Sequence, residues 1–339
     1  MSNDSRDDLA RIHLLLDRSQ AQRYDRPAEM VYAAELAQAS AAHLDVERYG
    51  ETTVADTRAR VWAELANAYR VADALGLAEG AMNQAFGYFK AGSGDPELLA
   101  LIADRLASLL CHLRRFPEAL ALLDHVFAFY RARGESHLAG RALVTKGLYM
   151  ANSGDPDRGV LTTCDGLDLL DPQREPLLTL AAVHNLLWVA TEMGRFDLVR
   201  RFLPAVRPLY DAQPNRLALL RLRWIEGRVA AGLGETPEGE ALFQEARAGF
   251  DEAGLAFPGS MVALDLALLW LGEGRLAEVK SLAEELIASF QRLRIGREAI
   301  VSLIMLRRAC EMEGQAIEKI REAIAKTTAI LQELGSRKP

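Results

Sequence analysis

EMGRFDLV, residues 192–199, is echoed by GEGRLAEV, residues 272–279. Both set a Gly and an Arg between apolar stretches, and the offset of the two is a multiple of forty. Stepping by forty from Gly194 in both directions lands on Gly154, Gly234, Gly274 and Gly314. A Gly column this regular signals an internal repeat. The position after it is always polar: Asp155, Arg195, Glu235, Arg275 and Gln315. One step earlier Gly is replaced by Arg114, but Phe116 still matches Phe196.

Two further columns flank the Gly. Seven residues before it stand Ala107, Gly147, Leu187, Gly227 and Ala267; five residues after it stand Ala119, Gly159, Val199, Gly239 and Val279. Most are small, as closely crossing helices require, because side-chain bulk sets the distance between helix axes. Each repeat therefore reads as apolar run, Gly turn, apolar run. Within the runs the spacing is helical. Leu101, Ile102, Leu106, Leu109, Leu110 and Leu113 recur at three- and four-residue steps, and so do Leu242, Ala246 and Phe250. No segment of strand length alternates.

Helix starts are marked as well. GDP at 94–96 and 154–156, and DP at 171–172, each offer Asp as an N-cap and Pro as the first helical residue. Helix pairs are expected near 53–74 with 78–91, near 7–19 with 27–47, and near 297–313 with 315–334. The expected fold is all-α: a right-handed α-solenoid of about eight antiparallel helix pairs. Residues 1–334 read as one solenoid, with the clearest repeats over 53–334, a first pair over 7–48 and a tail over 335–339. The final stripe, GQAIEKIREAIAKTTAILQEL, is expected to cap the stack; a homo-oligomer through it is the alternative.

RVWAELANAYR, residues 60–70, carries a family resemblance. Trp62, Leu65, Ala66 and Tyr69 stand at the spacing of the tetratricopeptide signature W-x2-L-G-x2-Y, with Ala for Gly. The chain resembles a tetratricopeptide superhelix with a period of forty residues instead of the usual 34 or so. Arrays of this kind are similar to the sensor superhelices of bacterial regulators and to kinesin light chains. The resemblance implies a non-catalytic scaffold or adaptor that holds a protein or peptide in a concave groove. Its alternative is a ligand- or peptide-sensing module that controls a separate effector protein. It also implies that the first helix of each pair lines the groove, at Asn67, Arg70, Asp104, Arg141, His184, Trp188, Arg221, Trp224 and Arg228. Trp188 and Trp224 beside arginines have the composition of an interaction hot spot; in a slightly shifted register both are core residues. Asn67 resembles the Asn of the carboxylate clamp of some family members, but Ala63 stands where that clamp has Lys.

Composition narrows the function class. Hydrophobic residues make up 50% and charged residues 26% of 339, with a net charge of −7. An acidic balance argues against nucleic acid as the partner, although RRFLPAVRP at 200–208 and RLALLRLR at 216–223 are locally basic. The cysteines, Cys111, Cys164 and Cys310, are far apart. They suggest neither a disulfide framework nor a zinc site, and they fit a reducing compartment. The polar start MSNDSRDDLARIHLLLDR does not read as a secretory signal. No stretch reaches the roughly 20 apolar residues of a membrane span, and the expected location is cytoplasmic. His184 has no second ligand at helical spacing, and GxSxG and HExxH are absent. No cofactor, metal or catalytic residue is expected.

Overall fold

The computed structural model describes residues 5–23, 26–212, 215–292, 321–322 and 324–330, and among these there is no strand. The chain has the tetratricopeptide-like, all-α helical-repeat fold. It divides into two compact units, one ending at Ala182 and one beginning at Val183.

In the first unit α1 (Ser5–Ala21) packs on α2 (Pro27–Ala42), and α3 (Val46–Tyr49) is a single turn. Then α4 (Glu51–Val71) pairs with α5 (Leu75–Ala91), α6 (Pro96–His112) with α7 (Phe116–Ala132), and α8 (Ser136–Asn152) with α9 (Pro156–Leu167). The division of the units falls within α10 (Pro176–Glu192). The second unit continues with α11 (Phe196–Asp211), then α12 (Arg216–Gly232) paired with α13 (Thr236–Glu252), and α14 (Ala256–Gly272) paired with α15 (Leu276–Arg292). Residues 324–330 are helical again. The expected pair at 297–313 and 315–334 otherwise lies outside the described residues, as do Cys310 and Gly314.

The Gly column is where the first helix of a pair stops. Gly154, Gly194, Gly234 and Gly274 have φ of 101°, 69°, 81° and 74°. In each case the next amide reaches back five residues, as Arg195 N does to Ala190 O at 2.9 Å and Arg275 N to Trp270 O at 2.9 Å. This is a Schellman stop, which needs a residue in the left-handed region. Where Gly is lost, Arg114 adopts φ 59° and Arg115 N still bonds Leu110 O at 2.8 Å. The geometry is kept and Arg114 bears the strain.

Opposite signs are therefore expected at equivalent positions. Gly194→Ala should cost about 1 kcal/mol from φ alone, since a Cβ there meets nothing nearer than a Phe196 ring carbon at 3.9 Å. Arg114→Gly should gain somewhat less, because it also removes the guanidinium stacked 5.7 Å from the Phe116 centroid. Urea midpoints check both, and a loss of stability in Arg114→Gly would refute the strain.

The two small-residue columns are buried throughout. At α8–α9 they bring backbone onto backbone: a Cβ on Gly147 would stand 2.5 Å from Gly159 O. The core of the first unit is alanine-rich, with Ala59, Ala63, Ala66, Ala78, Ala81 and Ala85 interleaved by Met82, Leu98 and Ile102, and Trp62 packs against it. That of the second is bulkier, built on Phe243, Phe250, Val262, Leu264 and Leu271.

Two boundaries differ from expectation. Asp95 and Asp155 cap α6 and α9 with Pro at the first helical turn, but Asp171–Pro172 does not start α10. The Asp171 carboxylate accepts from Gln173 N (2.9 Å) and closes a turn, and the helix begins at Pro176. The helix expected over 27–47 is broken, because Asp45 accepts from the amides of Glu47 and Arg48 and so starts a new turn.

Candidate functional site

In the first unit the first helices of successive pairs put charged groups on one wall. Arg105 on α6 grips Glu64 on α4, with Nη2 to Oε1 at 2.8 Å and Nε to Oε2 at 3.2 Å. Its Nη1 also donates to Asp104 at 2.6 Å. Arg141 on α8 lies 3.9 Å from Asp104 and 3.7 Å from Glu175, just ahead of α10. Glu175 accepts from Arg23, Arg23 donates to Gln20 at 3.3 Å, and Gln20 donates back to Glu64. The circuit closes through α1, α4, α6, α8 and the start of α10. His137 joins it, 3.2 Å from Glu175.

Burial sharpens this electrostatics. Burial alone would pull the Arg105 guanidinium down, but Glu64 and Asp104 outweigh it and hold it above its ordinary value. At Glu175 burial pushes upward, and Arg141 with Arg23 more than reverses it. Beside Asp104, Arg105, Tyr130, Leu138 and Arg141 a cavity of about 160 Å³ opens.

Arg70, in the last turn of α4, is bound differently. Its Nε and Nη2 both donate to Asn67 Oδ1, at 3.2 and 2.8 Å, and Nη1 faces His112 Nε2 at 3.3 Å. His112 Nδ1 lies 2.9 Å from the Ser108 carbonyl. That oxygen can only accept, so Nδ1 carries the proton and Nε2 is the acceptor for Arg70. Burial, and then the Arg70 charge, push His112 down to about 4.

The second unit holds the remaining positions. His184 hydrogen-bonds the hydroxyl of the fully buried Tyr210 at 2.9 Å, and burial followed by Arg221 lowers it to about 4. Trp224 is 9% exposed and belongs to the core. Its ring meets Trp188 at 4.7 Å and Phe250 at 6.5 Å, and its Nε1 donates to Asp265 at 2.6 Å. Trp188 is half-buried between that core and the Arg228 guanidinium, 4.9 Å from its ring centroid. Arg228 pairs with Glu192 and with Asp265 (3.4 Å). Burial raises Asp265 against the pull of Arg228 and Trp224. Arg221 is exposed. A cleft of about 420 Å³ lies alongside, lined by Phe196, Arg228, Phe243, Asp265, Leu268 and Glu273.

Asn67, Arg70, Asp104 and Arg141 thus share one wall, and Trp188, Trp224 and Arg228 form one cluster in the other unit. The sequence reading missed Glu64, Arg105, Glu175, Arg23 and His137. One signal was present: Glu64 interrupts the alanine-rich run VWAELANA, where an ordinary solvated carboxylate would be out of place.

Both low-lying histidines make stability depend on pH. A His that titrates near 6.5 when unfolded and near 4 when folded binds its proton more readily in the unfolded chain. Their contribution is intact above about pH 6.5 and is lost as pH falls toward 4. The loss at pH 5 should reach about 2 kcal/mol for each. His112→Gln should flatten its share of the slope in urea titrations between pH 7 and 5; an unchanged slope would contradict the burial of a neutral imidazole.

Helix hairpins stacked in a repeated arrangement define the tetratricopeptide-like helical-repeat class. No family model matches the sequence, and no curated protein matches it. Solved structures do. The chain is similar over 96% of its length, and 88% of the other, to a Rap protein complexed with Competence and Sporulation Factor, at TM-score 0.69 and 10% identity. It is similar to NprR in complex with its cognate peptide NprX, over 96% of this chain and 89% of that one, at TM-score 0.64 and 13% identity. The apo form of RapI matches over 84% and 99%, at TM-score 0.58 and 11% identity. At these identities the likeness is one of fold. Among the described residues no helix is long and apolar enough to cross a membrane.

Proposed function

We propose that this chain is a non-catalytic regulator that binds a peptide segment along the wall of α4, α6 and α8 and controls a separate effector protein. The observation that carries the reading is the wall itself. Asn67, Arg70, Asp104 and Arg141 stand on three successive first helices, each held by a named neighbour, so their polar groups are preorganised for an extended chain. Two similar folds were solved with a peptide or factor bound, which supports the choice of ligand. In the second unit, taken by itself, Trp188, Arg221 and Arg228 are proposed as contacts, while His184 and Trp224 hold that unit's own helices in place through Tyr210 and Asp265. The free thiols Cys111 and Cys164 fit a cytoplasmic location.

A sensor also needs an output surface, and α11 favours this reading over a passive scaffold. Its exposed stripe is Leu198, Arg201, Phe202, Ala205, Pro208 and Leu209. Where it has Leu198 and Ala205, the repeats forty residues to either side carry Arg158 and Asp165, and Glu238 and Glu245. With Arg201 within it and Arg195 beside it, the stripe suits an apolar helix flanked by acidic residues.

The test is selection of random octapeptides on the full chain, followed by hydrogen-exchange mass spectrometry with the best binder. Protection should appear on α4, α6 and α8. Failure to select any peptide, or protection confined to other helices, would remove the reading.

A further inference from the structure

The arginines of the circuit on the wall of the first unit each have a carboxylate. Arg23 has Glu175, Arg105 has Glu64 and Asp104, and Arg141 has Asp104 and Glu175. Arg70 has no carboxylate within ion-pair distance: among the described residues its hydrogen-bond partners are the Asn67 amide oxygen and the His112 imidazole, and Asp104 acts on its charge only from farther away. Both hydrogen-bond partners are neutral. The histidine cannot share the charge, because its Nδ1 proton is committed to the Ser108 carbonyl and its Nε2 lone pair to Arg70 itself. The carbonyl end of α4 offsets about half a charge at best. Three of the five guanidinium N–H groups are used, which leaves two of them without an acceptor.

A desolvated cation with spare donors is costly unless something completes it. We propose that Arg70 is an anion subsite that takes one carboxylate of the bound ligand, with Asn67 and His112 fixing the plane of the guanidinium. The monoanion follows from the surroundings. A carboxylate matches two parallel N–H groups, whereas a phosphate dianion would face Glu64, Asp104 and Glu175 on the same wall. His112 accepts one Arg70 proton, so it acts as a positioning residue. The source of the carboxylate rests on the peptide reading and is either an acidic side chain or a free C-terminus.

Two measurements on the full chain separate this inference from that reading. In the first, N-acetylglycine is titrated into arginine-labelled protein at constant ionic strength, with N-acetylglycinamide as its neutral twin. The Arg70 Nε resonance, assigned by its absence in Arg70→Gln, should shift saturably with the acid and not with the amide. In the second, arrays of random octapeptides with free or amidated C-termini are probed with wild-type, Arg70→Gln and Arg70→Lys chains of verified helicity. Enrichment of Asp or Glu at one position identifies a side chain; dependence on a free terminus identifies the C-terminus. Either preference should vanish in Arg70→Gln, with affinity down about tenfold or more, and Arg70→Lys should recover part of it. Peptides bound with no preference for an acid would overturn the Arg70 inference and leave the peptide reading standing. A saturable acid-specific shift with no peptide bound would do the reverse. An Arg70 resonance unmoved by N-acetylglycine, or moved equally by the amide, overturns it outright.

Discussion

Gly147→Ala should destabilise the chain by about 3 kcal/mol or more, although Ala is the better helix former by about 1 kcal/mol. The reason is the crossing of α8 and α9. A Cβ on Gly147 would stand 2.5 Å from Gly159 O and 2.7 Å from Thr163 N. Both are backbone atoms and cannot swing aside. The contact is reciprocal, because a Cβ on Gly159 would meet Gly147 O at 2.6 Å, and Gly140 and Gly166 repeat the arrangement one crossing further on. Relief requires the two helices to separate, which also opens the buried contacts along both. Gly87→Ala in α5 is the control: that position is exposed and a Cβ there meets nothing within 4 Å, so propensity alone should act and stabilise. Urea unfolding followed by far-UV circular dichroism reads both. Equal gains at the two positions would mean that α8 and α9 are not in backbone contact.

This crossing was legible because its cause is local and repeated. Gly147 and Gly159 stand in columns that recur every forty residues, and a column of small residues has one common physical explanation, close approach. The Gly194 column was legible for the same reason, and Arg114 shows that the turn outlives its favoured residue. The helix register likewise put Asn67, Arg70, Asp104 and Arg141 on one wall. It could not say which of them meet. The partner of Arg105 is 41 residues away, about one repeat, but the period does not say that the two side chains touch; that of Arg23 is 152 away, a separation that no period links.

The aromatic cluster shows the same limit in another form. By spacing, Trp188 and Trp224 fit either a binding face or a core. The choice turns on Asp265, forty-one residues from Trp224, whose carboxylate takes the indole proton and holds that ring inside. Asp171–Pro172 reads as a helix start by residue type, yet the same Asp carboxylate serves a turn as readily as a helix. Local chemistry there was read correctly and its span was not.

The circuit on the first wall makes the second large effect specific. Arg105→Ala should cost about 3–5 kcal/mol, because it strands Glu64. That carboxylate is 5% exposed and would keep only the Gln20 amide as a described partner. Glu64→Gln should cost less, since Arg105 retains Asp104 at 2.6 Å. The informative variant is the double one. A buried pair taken away together removes attraction and desolvation cost at once, so Glu64→Gln with Arg105→Met should be more stable than Arg105→Ala alone. The cycle built on Arg105→Met should show coupling of about 2 kcal/mol or more. Additive losses would mean that the two groups do not act as a pair, and the circuit would lose its central link. Since Asp104 and Arg141 are aligned through Arg105, the double variant should also weaken any ligand held by those two side chains while leaving the helices folded. That separates the stability of the wall from its preorganisation: urea unfolding reads the first, and affinity for a selected octapeptide reads the second.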